Sequence, residues 1–266
     1  MEFFNAALLG VVQGLTEFLP ISSTAHLILG ARMLGFQDPG GVFTVMIQLG
    51  AILAVIWLYR AKVISVVLGL PTQPEARRFA ALVLVGFLPA LVAGAFFSDY
   101  VKQVLYYSPG VIAAAFIAGG IVMLLVERLR PLPTVTSLDA MPFSKALAVG
   151  VGQVLALIPG VSRSGATIVG GLLSGLDRTT AAEFSFFLSM PTMVAAFVHD
   201  LIEVRHDLST ARAGEIGIGF VMAFIAALLV VRPFLRFVGR AGFAPFAWYR
   251  ISAGAAIVLA MAAGWL

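Results

Sequence analysis

The chain has 266 residues, of which 61% are hydrophobic and only 11% charged, with a net charge of +4. A soluble domain carries roughly 25% charged residues, so a single polytopic membrane domain is expected, and the small net charge gives no reason to expect nucleic acid as a partner. There are no cysteines, which excludes disulfides and thiolate metal sites.

The N-terminus reads Met1-Glu2-Phe3-Phe4, with no basic stretch or cleavage pattern, and is taken as part of the mature fold. Residues 2–35 are apolar but interrupted by Pro20-Ile21-Ser22-Ser23-Thr24. Three continuous apolar stretches follow at 42–59, 79–98 and 110–127, each close to the ~20 residues that a spanning helix needs. Residues 143–175 are apolar and interrupted again, by Pro159-Gly160-Val161-Ser162-Arg163-Ser164-Gly165. Three more stretches follow at 180–199, 215–235 and 247–266. The expected fold is all-α, with six transmembrane helices and two re-entrant helix–loop–helix segments. A kinked full span is the alternative for each interrupted segment.

The interrupted segments echo each other. Gly10-Val11-Val12-Gln13 matches Gly150-Val151-Gly152-Gln153, and Ser22 follows Gln13 at the distance at which Ser162 follows Gln153. Each is followed by three spans, an odd number, so the second half starts from the opposite face. That is the plan of an inverted repeat, with residues 1–130 and 143–266 as its halves. Loop charges orient it. Arg60, Lys62, Arg77, Arg78, Arg128, Arg130, Lys145, Arg178, Arg232, Arg236 and Arg240 fall on one side, and Arg32, Lys102, Arg205 and Arg212 on the other. The positive-inside rule makes the first side cytoplasmic. Both termini then face outward, where Asp99, Asp200, Glu203 and Asp207 also lie.

Ionisable residues at membrane depth mark function by default. Glu17, His26 and Arg163 sit in the interrupted segments. Gln13 and Glu17, four apart, share a helix face. Ser23 and His26, three apart, are placed for a hydroxyl–imidazole hydrogen bond if Ser23 caps its helix. Two helix N-termini, Ser22-Ser23-Thr24 and Ser162-Arg163-Ser164-Gly165-Ala166-Thr167, offer N–H groups and hydroxyls to an anion, and Arg163 adds a guanidinium. That set suits a diphosphate. The serines also read singly as helix caps, and Glu17–Arg163 as a structural ion pair. His199 and His206 read as interfacial residues, Glu183 as a helix cap, and Arg250 as a side chain reaching the cytoplasmic interface. Gly10 and Gly14 read as sites of close helix packing.

Gly10 through His26, which contains an (E/Q)-x-x-x-E element at Gln13 and Glu17, resembles the first signature of the undecaprenyl-diphosphate phosphatases of the bacitracin-resistance type. Pro159 through Thr167 resembles their second, and Ile47–Val55 and Glu183–Phe186 also resemble family segments. The resemblance implies hydrolysis of undecaprenyl diphosphate to the monophosphate in the bacterial inner membrane. It implies a site open to the periplasmic side, a divalent cation (Mg²⁺ or Ca²⁺) and a homodimer. The family's acid, serine, histidine and arginine carry over to Glu17, Ser23, His26 and Arg163. Ser22, Thr24, Ser162, Ser164, Gly165 and Thr167 are expected to bind substrate, and Gln13 and Glu17 to hold the cation. Position 13 departs from the commoner Glu, so one carboxylate is missing. Three nucleophiles remain open: Ser23 assisted by His26, which is favoured, His26 itself, or water with His26 as base. A prenyl-phosphate flippase with the same anion site is the alternative function.

Overall fold

The computed structural model describes residues 2–105, 108–205 and 212–265; His206 and Asp207 lie outside them, as do the side chains of Asp99 and Lys102. The described residues are almost wholly helical: α1 (Glu2–Thr16), α2 (Ser23–Leu34), α3 (Val42–Leu58), α4 (Arg60–Gly69), α5 (Pro74–Tyr100), α6 (Pro109–Leu129), α7 (Phe143–Val154), α8 (Arg163–Leu173), α9 (Arg178–Val204), α10 (Ala213–Ala241) and α11 (Ala244–Ala262). Six helices, α3, α5, α6, α9, α10 and α11, are long and apolar enough to cross a membrane, matching the six stretches read from sequence. α5 and α10 run further than hydropathy suggests, because Arg77, Arg78, Arg236 and Arg240 are good helix formers that extend each helix beyond its apolar part. The short helix α4 was not expected.

The four helices of the interrupted segments are shorter. α1 has 15 residues, α2 and α7 have 12 each and α8 has 11. At 1.5 Å per residue even α1 reaches only about 22 Å, against a hydrocarbon core of about 30 Å. Each pair is joined by a loop in which one non-glycine residue takes a positive φ: Ser22 at 68° and Ser162 at 74°. These are the two serines that the sequence echo aligned, and no other non-glycine among the described residues does this.

Glycine decides how closely the helices approach. α1 packs on α10, and a Cβ on Gly10 or Gly14 would run into the carbonyl oxygen of Gly219 or Ala223. α7 packs on α5 in the same manner, with Gly150 against the carbonyl of Gly86. α6 packs on α11. The largest apolar cluster includes Phe18, Phe184, Phe186, Phe234 and Phe243. Large side chains such as Leu84, Phe96, Leu125, Leu229 and Leu259 are exposed, an apolar exterior that suits lipid rather than water.

Two expectations change at the helix ends. α9 is capped by Asp177, whose carboxylate accepts from Thr180 N at 2.7 Å, not by Glu183, which lies a turn and a half inside. Arg250 does not reach an interface: it is 1% exposed, in the interior of the fold.

Candidate active site

The α1–α2 loop and the α7–α8 loop meet. Ser164 Oγ donates to Leu19 O at 2.7 Å, and Arg163 Nη2 donates to Glu17 Oε1 at 3.1 Å. Glu17 is the hub. Its Oε2 accepts from Ser23 Oγ at 2.5 Å and from Gln13 Nε2 at 3.0 Å, so three side chains donate to one buried carboxylate. Gln13 reaches it because residues four apart share a helix face. Ser23 reaches it because the positive φ at Ser22 turns the chain sharply into α2.

Arg163, the first residue of α8, also donates to Ser185 O at 3.2 Å and to Met193 Sδ at 3.1 Å. Two buried polar atoms in this cluster have no partner, Arg163 Nε and Gln13 Oε1. Such orphans are rare in folded proteins; Arg163 lines the cavity that opens on this cluster, whereas Gln13 does not. One is a cationic donor suited to an anion, the other a carbonyl-type oxygen suited to a hard cation.

A cavity of about 910 Å³ opens on the cluster. Glu17, Ser22, Ser23, Thr24, Ser162 and Arg163 line its polar end, with Gln48, Gln153 and Thr192. Phe87, Leu91, Val194 and Val198 are among its apolar walls, and it extends to His199, Asp200 and Ile202 near the end of α9. The two helix starts differ. Ser162 Oγ caps α8 by accepting from Gly165 N at 3.2 Å, whereas Ser22 makes no side-chain cap bond. The first N–H groups of α2 are therefore the better placed to receive an anion.

Not every residue singled out from sequence faces this cavity. Ser164 and Gly165 bond to the neighbouring loops, and Thr167 Oγ1 contacts Arg163 O and Ser164 O within α8 and Ser185 Oγ on α9. His26 is turned toward Phe116 and Tyr249. Its Nδ1 lies 2.7 Å from Ser22 O, which can only accept, so Nδ1 carries the proton. In the neutral ring Nε2 then accepts from Tyr249 Oη at 2.6 Å. The hydroxyl–imidazole bond expected from the Ser23–His26 spacing is not formed, because Ser23 points at Glu17. Sequence reading missed Tyr249 and Arg250, whose partners are far away in the chain.

Residues 6–256 match the family described as bacitracin resistance protein BacA. The chain belongs to this family. It is 52% identical over 260 residues to undecaprenyl-diphosphatase 1 of Agrobacterium fabrum, covering 98% of this chain and 97% of that one. It is also 52% identical over 261 residues to the undecaprenyl-diphosphatase of Phenylobacterium zucineum, covering 98% of each. The undecaprenyl-diphosphatase of Paracoccus denitrificans is similar to it at 51% over 260 residues, with 98% and 97% covered. The match to the BacA family takes in both loops and every residue of the Gln13–Glu17–Ser23–Arg163 cluster.

Proposed function

We infer that this chain is an undecaprenyl-diphosphatase, a bacterial multi-pass membrane enzyme that releases phosphate from undecaprenyl diphosphate and leaves the monophosphate. The observation that carries the mechanism is the bond from Ser23 Oγ to Glu17 Oε2 beside the Arg163 guanidinium. A nucleophile, a base and an anion-binding cation converge at one wall of a cavity with apolar sides. Phosphoryl transfer asks mainly for positioning and charge stabilisation. Arg163 and the N–H groups at the start of α2 hold the terminal phosphate. Ser23 Oγ attacks its phosphorus, the proton passes to Glu17, and the anhydride bond breaks to release the prenyl monophosphate. Water then attacks the phosphoserine, Glu17 returns its proton to the departing Ser23 Oγ, and the water's own protons leave with the released phosphate, so that hydroxyl and carboxylate are both restored. His26 supports this geometry through Ser22, and Ser23 takes Glu17 as its base. Phe87, Leu91, Val194 and Val198 flank the prenyl chain.

The donors also fit a hard divalent cation, since Gln13 Oε1 is unpartnered and the Glu17 carboxylate is adjacent. Mg²⁺ or Ca²⁺ held by Gln13 and Glu17 would supply charge neutralisation for the phosphate oxygens.

The re-entrant, inverted-repeat plan belongs to the same reading. It is supported by four helices too short to span, by paired positive φ at Ser22 and Ser162, and by matching glycine contacts at Gly10 and Gly150. The cavity extends toward the end of α9 that the charge count places outside, which supports a periplasmic opening. A homodimer, implied by the family resemblance, is tested by the mass of the protein in detergent.

A flippase would use the same anion site but has no need of a serine hydroxyl bonded to a carboxylate. Purified protein in detergent, where transport has no meaning, separates the two: cation-dependent phosphate release is expected of the phosphatase, and binding without release would favour the flippase.

A further inference from the structure

We propose that Arg250 is a positioning residue for phosphoryl transfer, holding the two site loops in register without touching the substrate. Its side chain reaches from α11 to three other parts of the fold. Nη1 donates to Pro20 O at 3.2 Å and to Val161 O at 2.8 Å, and Nη2 to Ala115 O at 2.8 Å and to Gly160 O at 2.9 Å. One guanidinium thus joins the α1–α2 loop, the α7–α8 loop and α6.

The sequence is adapted to admit it. A Cβ on Gly119 would collide with the Arg250 guanidinium, and one on Gly165 would sit 3.5 Å from Nη1. Arg250 therefore lies against the first turn of α8, and the cavity's lining does not include it.

The three loop carbonyls belong to non-helical backbone, which is tolerated at membrane depth only when its polar groups find partners within the protein. Their orientation matters beyond satisfaction. In a planar trans peptide the carbonyl and the following N–H point in opposite directions. Drawing Val161 O toward Arg250 turns Ser162 N–H away from it, and the bond to Pro20 O anchors the strand that enters the strained turn at Ser22. The fork geometry of arginine suits this task; lysine, a point charge with a single nitrogen, cannot reach four acceptors on three elements. No carboxylate pairs with Arg250 among the described residues, so its charge also adds to the positive potential behind the anion site.

The inference rests on the phosphatase reading. Its test is kcat and KM for phosphate release by purified full-length wild type, Arg250→Lys, Arg250→Gln and Gly119→Ala. Elution volume and melting temperature in detergent are measured alongside. Loss of kcat by about 100-fold, with KM within about 3-fold, is expected for both Arg250 variants in protein that elutes as wild type. Lysine should rescue little, although it keeps the charge. If neither Arg250 variant folds, Gly119→Ala decides, since it pushes the guanidinium aside from the α6 side without removing it; a drop in its kcat is expected. A folded Arg250→Lys with wild-type kcat, a defect confined to KM, or an unaffected Gly119→Ala where the Arg250 variants do not fold would overturn the inference alone. A wild type that releases no phosphate would overturn the phosphatase reading together with it.

Discussion

Glu17 and Arg163 are 146 residues apart in the chain and 3.1 Å apart in the fold. Each comes from a different interrupted segment, so their bond, like that from Ser164 to Leu19, helps bring the halves of the site together. Glu17 is buried and the Arg163 side chain is only 12% exposed, so little water screens the pair. Removing one partner leaves the other charge buried and unpaired, at a cost of roughly 3–5 kcal/mol. Glu17→Gln should therefore lower the melting temperature in detergent as well as activity. A double variant, Glu17→Gln with Arg163→Met, should melt higher than Glu17→Gln while remaining inactive.

His26 separates a base from a support. The structure gives its Nδ1–H to Ser22 O and its Nε2 to Tyr249. An asparagine side chain can donate from nearly the same place as Nδ1 but cannot act as a base. His26→Asn is expected to keep activity within about tenfold of wild type, whereas His26→Ala should lose about 100-fold. Equal, complete loss in both, measured as kcat on folded protein, would restore the histidine as the base.

Position 13 tests cation binding. Gln13 donates to Glu17 through Nε2 and leaves Oε1 unpartnered. Gln13→Glu replaces that donor with a second carboxylate and should make activity more steeply dependent on Mg²⁺ or Ca²⁺ while leaving the maximum rate near wild type. Gln13→Met should lose activity at every cation concentration. A Gln13→Glu variant indifferent to chelator would remove position 13 from the cation site.

Gly10 and Gly150 should behave alike if they are equivalent contacts. Valine at either would force α1 from α10 or α7 from α5, and overpacking of this kind costs about 1–3 kcal/mol. Gly94→Ala is the control, because nothing lies within 4 Å of its Cβ position. Lower melting temperatures for both valine variants, with Gly94→Ala unchanged, are expected.

Much of this site was legible before the structure. A carboxylate and a guanidinium in apolar surroundings have few ways to be satisfied, so the sequence singled out Glu17 and Arg163, with an ion pair between them as the structural alternative to a role in catalysis. The partner of Ser23 could not be read, because i,i+3 spacing assumes a regular turn, and the positive φ at Ser22 redirects the hydroxyl from His26 to Glu17. Arg250 was misread because a long cationic side chain near the start of a span has, by default, the interface within reach. Its real partners are backbone carbonyls, which leave no mark on a sequence. Asp177 did leave one: an acid three residues before Thr180 is a helix-start signal that Glu183, deeper in the span, obscured.

The most direct measurement is phosphate release from undecaprenyl diphosphate by purified wild type beside Arg163→Ala and Ser23→Ala, in detergent with Mg²⁺. The wild type should turn over, and each variant should fall by at least about 100-fold while eluting as folded protein. Near-wild-type release from either variant would contradict the assignment of the Glu17–Ser23–Arg163 cluster as the catalytic centre.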